Sequence, residues 1–157
     1  SKHGFRQVAK KYFKDDHSIF YAYIKDTKTE TIELPTRLYE RNKKLYLDFV
    51  DYHQKLIIDL NETIKKVDPE QSIYLFGAHI FAQYLIELGL DTSRIVCLLD
   101  NDINKQGKRL YGTNMMVKSP KVLADVKNPI IILKAGVYDD EVKSDILENI
   151  NKNAKFL

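Results

Sequence analysis

Ser72-Ile73-Tyr74-Leu75-Phe76-Gly77-Ala78-His79 is the stretch on which the fold turns. A run of apolar, β-favouring side chains stops at Gly77-Ala78, and a helical pattern follows at once. Phe81, Tyr84, Leu85 and Leu88 return at steps of three and four, and Gly89 is a natural stop. The cycle then repeats. Ile95-Val96-Cys97-Leu98-Leu99 reads as a second strand ending in Asp100-Asn101-Asp102, and a polar loop with Gly107 and Gly112 leads to a short strand, Met115-Met116-Val117. Ser119-Pro120 has the form of an N-cap followed by proline at the first helical position. Pro129-Ile130-Ile131-Ile132-Leu133 is a buried strand, followed by Ala135-Gly136 and a helix that turns Val142, Ile146 and Ile150 inward. Lys155-Phe156-Leu157 reads as a last strand. Strands apolar on both faces, alternating with helices, imply a mostly parallel sheet with helices on both sides. Residues 71–157 are therefore expected to form a small Rossmann-like α/β domain.

Upstream the pattern changes. From Pro35-Thr36 to about Lys66, Tyr46, Phe49, His53, Ile57, Leu60, Ile64 and Val67 make one apolar seam at helical spacing. A helix of ~30 residues reaches ~45 Å, longer than so small a domain needs, so residues 35–70 are expected to bridge modules or pack along a partner. Residues 1–34 alternate instead. Val8 to Phe13 and Ile19 to Ile24 read as a β-hairpin, with Asp15-Asp16-His17-Ser18 between the strands and Asp26-Thr27-Lys28-Thr29 after them. Both faces of its second strand are apolar and need cover. An isolated hairpin is marginal in water, which suggests a piece of a longer chain.

The composition narrows the class. Among 157 residues, 25 basic and 22 acidic side chains leave a net charge of +3, with no basic run longer than two. That is too little for a nucleic-acid footprint. One cysteine, Cys97, excludes a disulfide framework and a multi-cysteine metal site, and it fits a reducing, cytoplasmic setting. No apolar run approaches the ~20 residues that span a bilayer.

In a parallel sheet of this kind, ligands bind beyond the carboxyl ends of the strands. Those ends carry Gly77, Ala78 and His79; Asp100 and Asp102; Lys118; and Ala135, Gly136 and Tyr138. Against the dinucleotide fingerprint G-x-G-x-x-G/A, the first turn has His79 at the middle glycine and Ala82 at the last position. Asp100, 23 residues after Gly77, stands about where a ribose-binding carboxylate would. The layout fits either a plain scaffold or a site for a nucleotide or nucleotide-linked sugar, and it fits a dinucleotide poorly. If a ligand binds, Gly77, Ala78 and His79 would meet phosphates and Asp100 a ribose hydroxyl. Lys105 and Lys108 would cover the charge, with Tyr138 at the neighbouring helix start. The loop from Asp100 to Arg109 reads equally well as a solvated turn. Cys97 reads as a small core hydrophobe, His53 as a core histidine, and no residue stands out as catalytic or metal-binding.

Ile73-Tyr74-Leu75-Phe76-Gly77-Ala78, Leu99-Asp100, Lys105-Gln106-Gly107-Lys108, Tyr111-Gly112-Thr113 and Val117-Lys118-Ser119-Pro120 together resemble the C-terminal domain of sugar C-methyltransferases. The resemblance covers residues 38–157; many members have Pro-Gly-Thr where this chain has Tyr111-Gly112-Thr113. Residues 1–27 resemble the last turn and final hairpin of a class I methyltransferase domain. The resemblance implies a parent enzyme that uses S-adenosylmethionine and acts on a nucleotide-linked sugar. This chain would be its substrate-side module, itself without cofactor or catalytic residues, docked on an upstream methyltransferase domain and carrying homodimer contacts. The Gly-Ala turn, the Asp after the second strand and the glycine-rich return also look like the sugar-nucleotide domains of some bacterial sugar acetyltransferases. A degenerate Rossmann-like interaction module is the alternative.

Overall fold

The computed structural model describes residues 3–14, 18–26 and 36–157. The expected turn over Asp15-Asp16-His17, the Thr27–Thr29 stretch and the Pro35 opening of the long helix lie outside them. The chain forms two compact units, Ser1–Leu45 and Tyr46–Leu157.

In the first unit, β1 (Phe5–Phe13) and β2 (Ser18–Lys25) pair antiparallel, with an irregularity between Gln7 and Ala9. The open end is closed by the Asp26 amide donating to the Gly4 carbonyl at 2.8 Å and by an Arg6–Asp26 ion pair at 3.0 Å. Every strand residue except Ala9 and Ala22 is exposed. The hairpin is therefore present as expected, with neither of its aromatic faces buried among the described residues.

Helix α1 (Leu38–Lys66) carries Glu40 in its first turn and Lys65 and Lys66 in its last, the arrangement the helix dipole favours. Its seam is only partly buried. Ile57, Leu60 and Ile64 are in the core, whereas Tyr46 is 66% and Phe49 38% exposed. The periodicity marks the face that can be buried, but in the second unit only the last three turns have a sheet beneath them. Arg94 secures the end of that helix by donating to the Ile64, Val67 and Asp68 carbonyls, each at 2.8 Å, groups that a helix C-terminus otherwise leaves unpaired.

The sheet is fully parallel, its five strands ordered β5 (Val117–Lys118), β4 (Ile95–Leu99), β3 (Ile73–Phe76), β6 (Ile130–Leu133) and β7 (Lys155–Phe156). Numbered within the sheet this is 3-2-1-4-5, the doubly wound order, with its switch point between β3 and β6. Alternate residues divide between two cores. Ile73, Leu75, Ile130 and Ile132 meet α1 and α2 (Ile80–Glu87). Tyr74, Phe76, Ile131 and Leu133 meet the other layer, made of a 3₁₀ turn (Pro120–Leu123) and α3 (Asp139–Asp145) with its π-helical continuation (Ile146–Ile150). Each fully buried Leu or Ile contributes roughly 1.5–3 kcal/mol.

Several local readings change. In β4 the register slips against β3, so that Val96 and Cys97 together face Tyr74. Val96 is consequently 57% exposed, while Leu98 returns to the first core. On α2 the buried residues are Ala82 and Leu85, with Phe81 and Tyr84 exposed. Ser119 caps as expected, its Oγ accepting from the Lys121 amide at 3.3 Å, but it opens a 3₁₀ turn rather than an α-helix. Cys97 is buried, and burial pushes its thiol pKa up despite Lys118 nearby. No described helix is long and apolar enough to cross a membrane.

Candidate functional site

The turn after β3 is built around two side chains that occupy its polar groups. Gly77 adopts φ +100°, donates to the Leu99 carbonyl at 2.7 Å and is buried. The Ala78 amide donates to Asp100 Oδ2 at 2.8 Å. His79 is the N-cap of α2: its Nδ1 accepts from the Phe81 amide at 3.2 Å, which leaves the ring proton on Nε2. The ring folds over Gly77 so closely that a Cβ there would stand 2.4 Å from Nε2. Burial first, then the Lys105 ammonium, lower the His79 pKa, against a smaller pull from Asp100, so the imidazole is neutral near pH 7.

Asp100 is 7% exposed and serves as the hub. Its Oδ2 also accepts from Lys105 Nζ at 3.0 Å, and its Oδ1 accepts from the Asp102 amide at 2.9 Å. Gln106 Nε2 donates to its carbonyl at 2.9 Å. Three of the roughly four acceptor positions of the carboxylate are thus filled from within the protein.

The loop after β4 is fixed in place. Gly107 donates to the Val117 carbonyl at 2.9 Å, Val117 returns a bond to the Lys108 carbonyl at 2.8 Å, and Arg109 bridges Met116 in antiparallel sense. Leu110 anchors this return in the core. Gln83 Nε2 ties it to α2 through the Tyr111 carbonyl at 3.2 Å. Lys108 is thereby held on a rigid return, exposed, its ammonium without an ion pair or hydrogen bond among the described residues.

A cleft of about 340 Å³ results, lined by Ala78, His79, Gln83, Lys105, Lys108 and Arg109 among others. Four of the residues singled out in the sequence line it, and Gly77 and Asp100 support it from below. Tyr138 does not belong to it: it lies in the 3₁₀ turn Gly136–Tyr138 at the start of α3. The chemistry offered is cationic, with a neutral imidazole N–H. It differs from a dinucleotide turn, because the amides of Gly77, Ala78, His79 and Phe81 are already donated within the protein. Gln83 escaped the sequence reading, since nothing local says that a mid-helix Gln faces this opening, whereas Arg109 lines it together with Lys105 and Lys108, the cationic loop residues that could fold over an anion. Among the described residues no three His, Cys, Asp or Glu side chains gather as a metal site.

No protein-family model matches the chain, and no curated protein is significantly similar to it.

Proposed function

We propose that the sheet domain binds a nucleotide-linked sugar and that the chain is the substrate-side part of an S-adenosylmethionine-dependent sugar C-methyltransferase. The observation that carries this reading is the Lys108 ammonium, without an ion pair or hydrogen bond among the described residues, on a cleft it lines with Lys105, Arg109 and His79 at the carboxyl end of β3 and β4. Fixed cations facing one cleft suit a diphosphate, which two or more donors recognise better than one. The amides of the turn are engaged within the protein, and no methyl-transfer step is assigned to residues of this chain. The cofactor would belong to an upstream domain, and the exposed faces of the β1–β2 hairpin are where such a domain would supply cover.

The test is calorimetric titration with UDP-glucose. Lys108→Glu should weaken its binding roughly tenfold, and added salt should narrow the difference. Unchanged affinity would mean that the return loop is only a turn. A docking or dimerisation module is the second reading, favoured by Tyr46, Phe49 and Tyr52 of the α1 seam region remaining exposed.

A further inference from the structure

A second cleft lies where the strand order reverses, between the carboxyl ends of β3 and β6. It holds about 280 Å³ and is bounded by Tyr52, His53, Phe81, Lys134, Gly136 and Asp139, with Leu56 and Leu85 at its floor. Three properties set it apart from a chance depression. The switch point is where doubly wound sheets place their ligands. Its walls include three rings from two different helices, Tyr52 and His53 of α1 and Phe81 of α2. Finally, it contains opposite charges that do not pair. Among the described residues, Lys134 is half-buried yet makes no ion pair or side-chain hydrogen bond, and Asp139 uses only Oδ1, which accepts from the Ala135 amide at 2.6 Å. Gly136, at φ +65° and with open space where a Cβ would be, keeps one rim low.

We infer that this cleft is a subsite for the heteroaromatic base of the nucleotide, a reading that rests on the nucleotide-linked sugar proposed above. Flat rings against Tyr52 and Phe81 gain stacking energy without regard to base identity. The edge of the base then decides the fit. An ammonium donor and a carboxylate acceptor on one cleft complement a base that presents a ring N–H next to a carbonyl, as uracil does and adenine does not. The two clefts are neighbours: the His79 ring, on the cationic cleft, meets the Phe81 ring edge-to-face with centroids 5.5 Å apart. A base in the switch-point cleft would send its diphosphate past His79 Nε2 toward Lys108.

The experiment is a calorimetric series on the full chain with UDP-glucose, ADP-glucose and inorganic pyrophosphate. Wild-type protein should bind UDP-glucose about tenfold more tightly than ADP-glucose, and Phe81→Ala and Lys134→Gln should each weaken UDP-glucose about tenfold. Both positions are at least partly exposed, so the fold tolerates the changes. Pyrophosphate should respond to Lys108→Glu and ignore Phe81→Ala. If UDP-glucose binds and neither Phe81→Ala nor Lys134→Gln alters it, the base subsite is wrong and the cationic cleft stands. Equal affinity for the two nucleotide sugars refutes the edge recognition in the same way. If no nucleotide sugar binds the wild type, both readings fall.

Discussion

Asp100→Ala is expected to cost about 3–4 kcal/mol of stability, seen as a lower midpoint in urea unfolding with an unchanged slope. The carboxylate is nearly buried and accepts from the Ala78 amide, the Asp102 amide and Lys105. Removing it strands a buried backbone N–H at Ala78 and leaves the Lys105 ammonium without its partner. Lys105 is 39% exposed, so water recovers part of that loss, and the amides account for most of the effect. Asp100→Asn should recover only part of the loss, because an amide offers one acceptor oxygen and presents hydrogens to Lys105. A loss below about 1 kcal/mol for the alanine variant would show that the turn does not depend on this hub.

Gly77→Ala is expected to cost about 3 kcal/mol, and the way it combines with His79→Ala reveals why. Two costs coincide. A φ of +100° strains any residue with a Cβ by about 2 kcal/mol. The new methyl group also displaces the His79 ring, which then gives up the Phe81 amide, a capping bond of about 1 kcal/mol. His79→Ala alone loses only the cap. In the double variant the cap is lost once, so the combined cost should fall short of the sum by about 1 kcal/mol. Strict additivity would mean that the ring does not lie over the glycine.

Much of the sheet domain is legible because its strands are apolar on both faces, a signature that few other environments produce. Ile130-Ile131-Ile132-Leu133 can sit only between two cores, and it divides its side chains between them. The long helix shows the converse. Its seam runs from Tyr46 to Val67, but burial begins only at Ile57, because periodicity names a face and not what covers it. The Val96 bulge, the 3₁₀ turn after Ser119 and the π-helical end of α3 leave no distinct mark in sequence, being compromises of packing between elements.

The candidate site divides similarly. Ala78 and His79, grouped by adjacency to a strand end, and Lys105 and Lys108, from the loop after β4, do share one cleft. Tyr138 follows the same rule and lies elsewhere, because the 3₁₀ turn after β6 rotates it away from the opening while Lys134, Gly136 and Asp139 line the switch point. Asp100 stands at the expected place but is engaged in holding the turn. That role depends on the Ala78 amide, 22 residues away in sequence.

The most direct measurement is a pair of calorimetric titrations of the whole chain, one with UDP-glucose and one with S-adenosylmethionine. Saturable binding of UDP-glucose with no heat from S-adenosylmethionine is the predicted result. A flat UDP-glucose titration, or tight binding of S-adenosylmethionine, would contradict it.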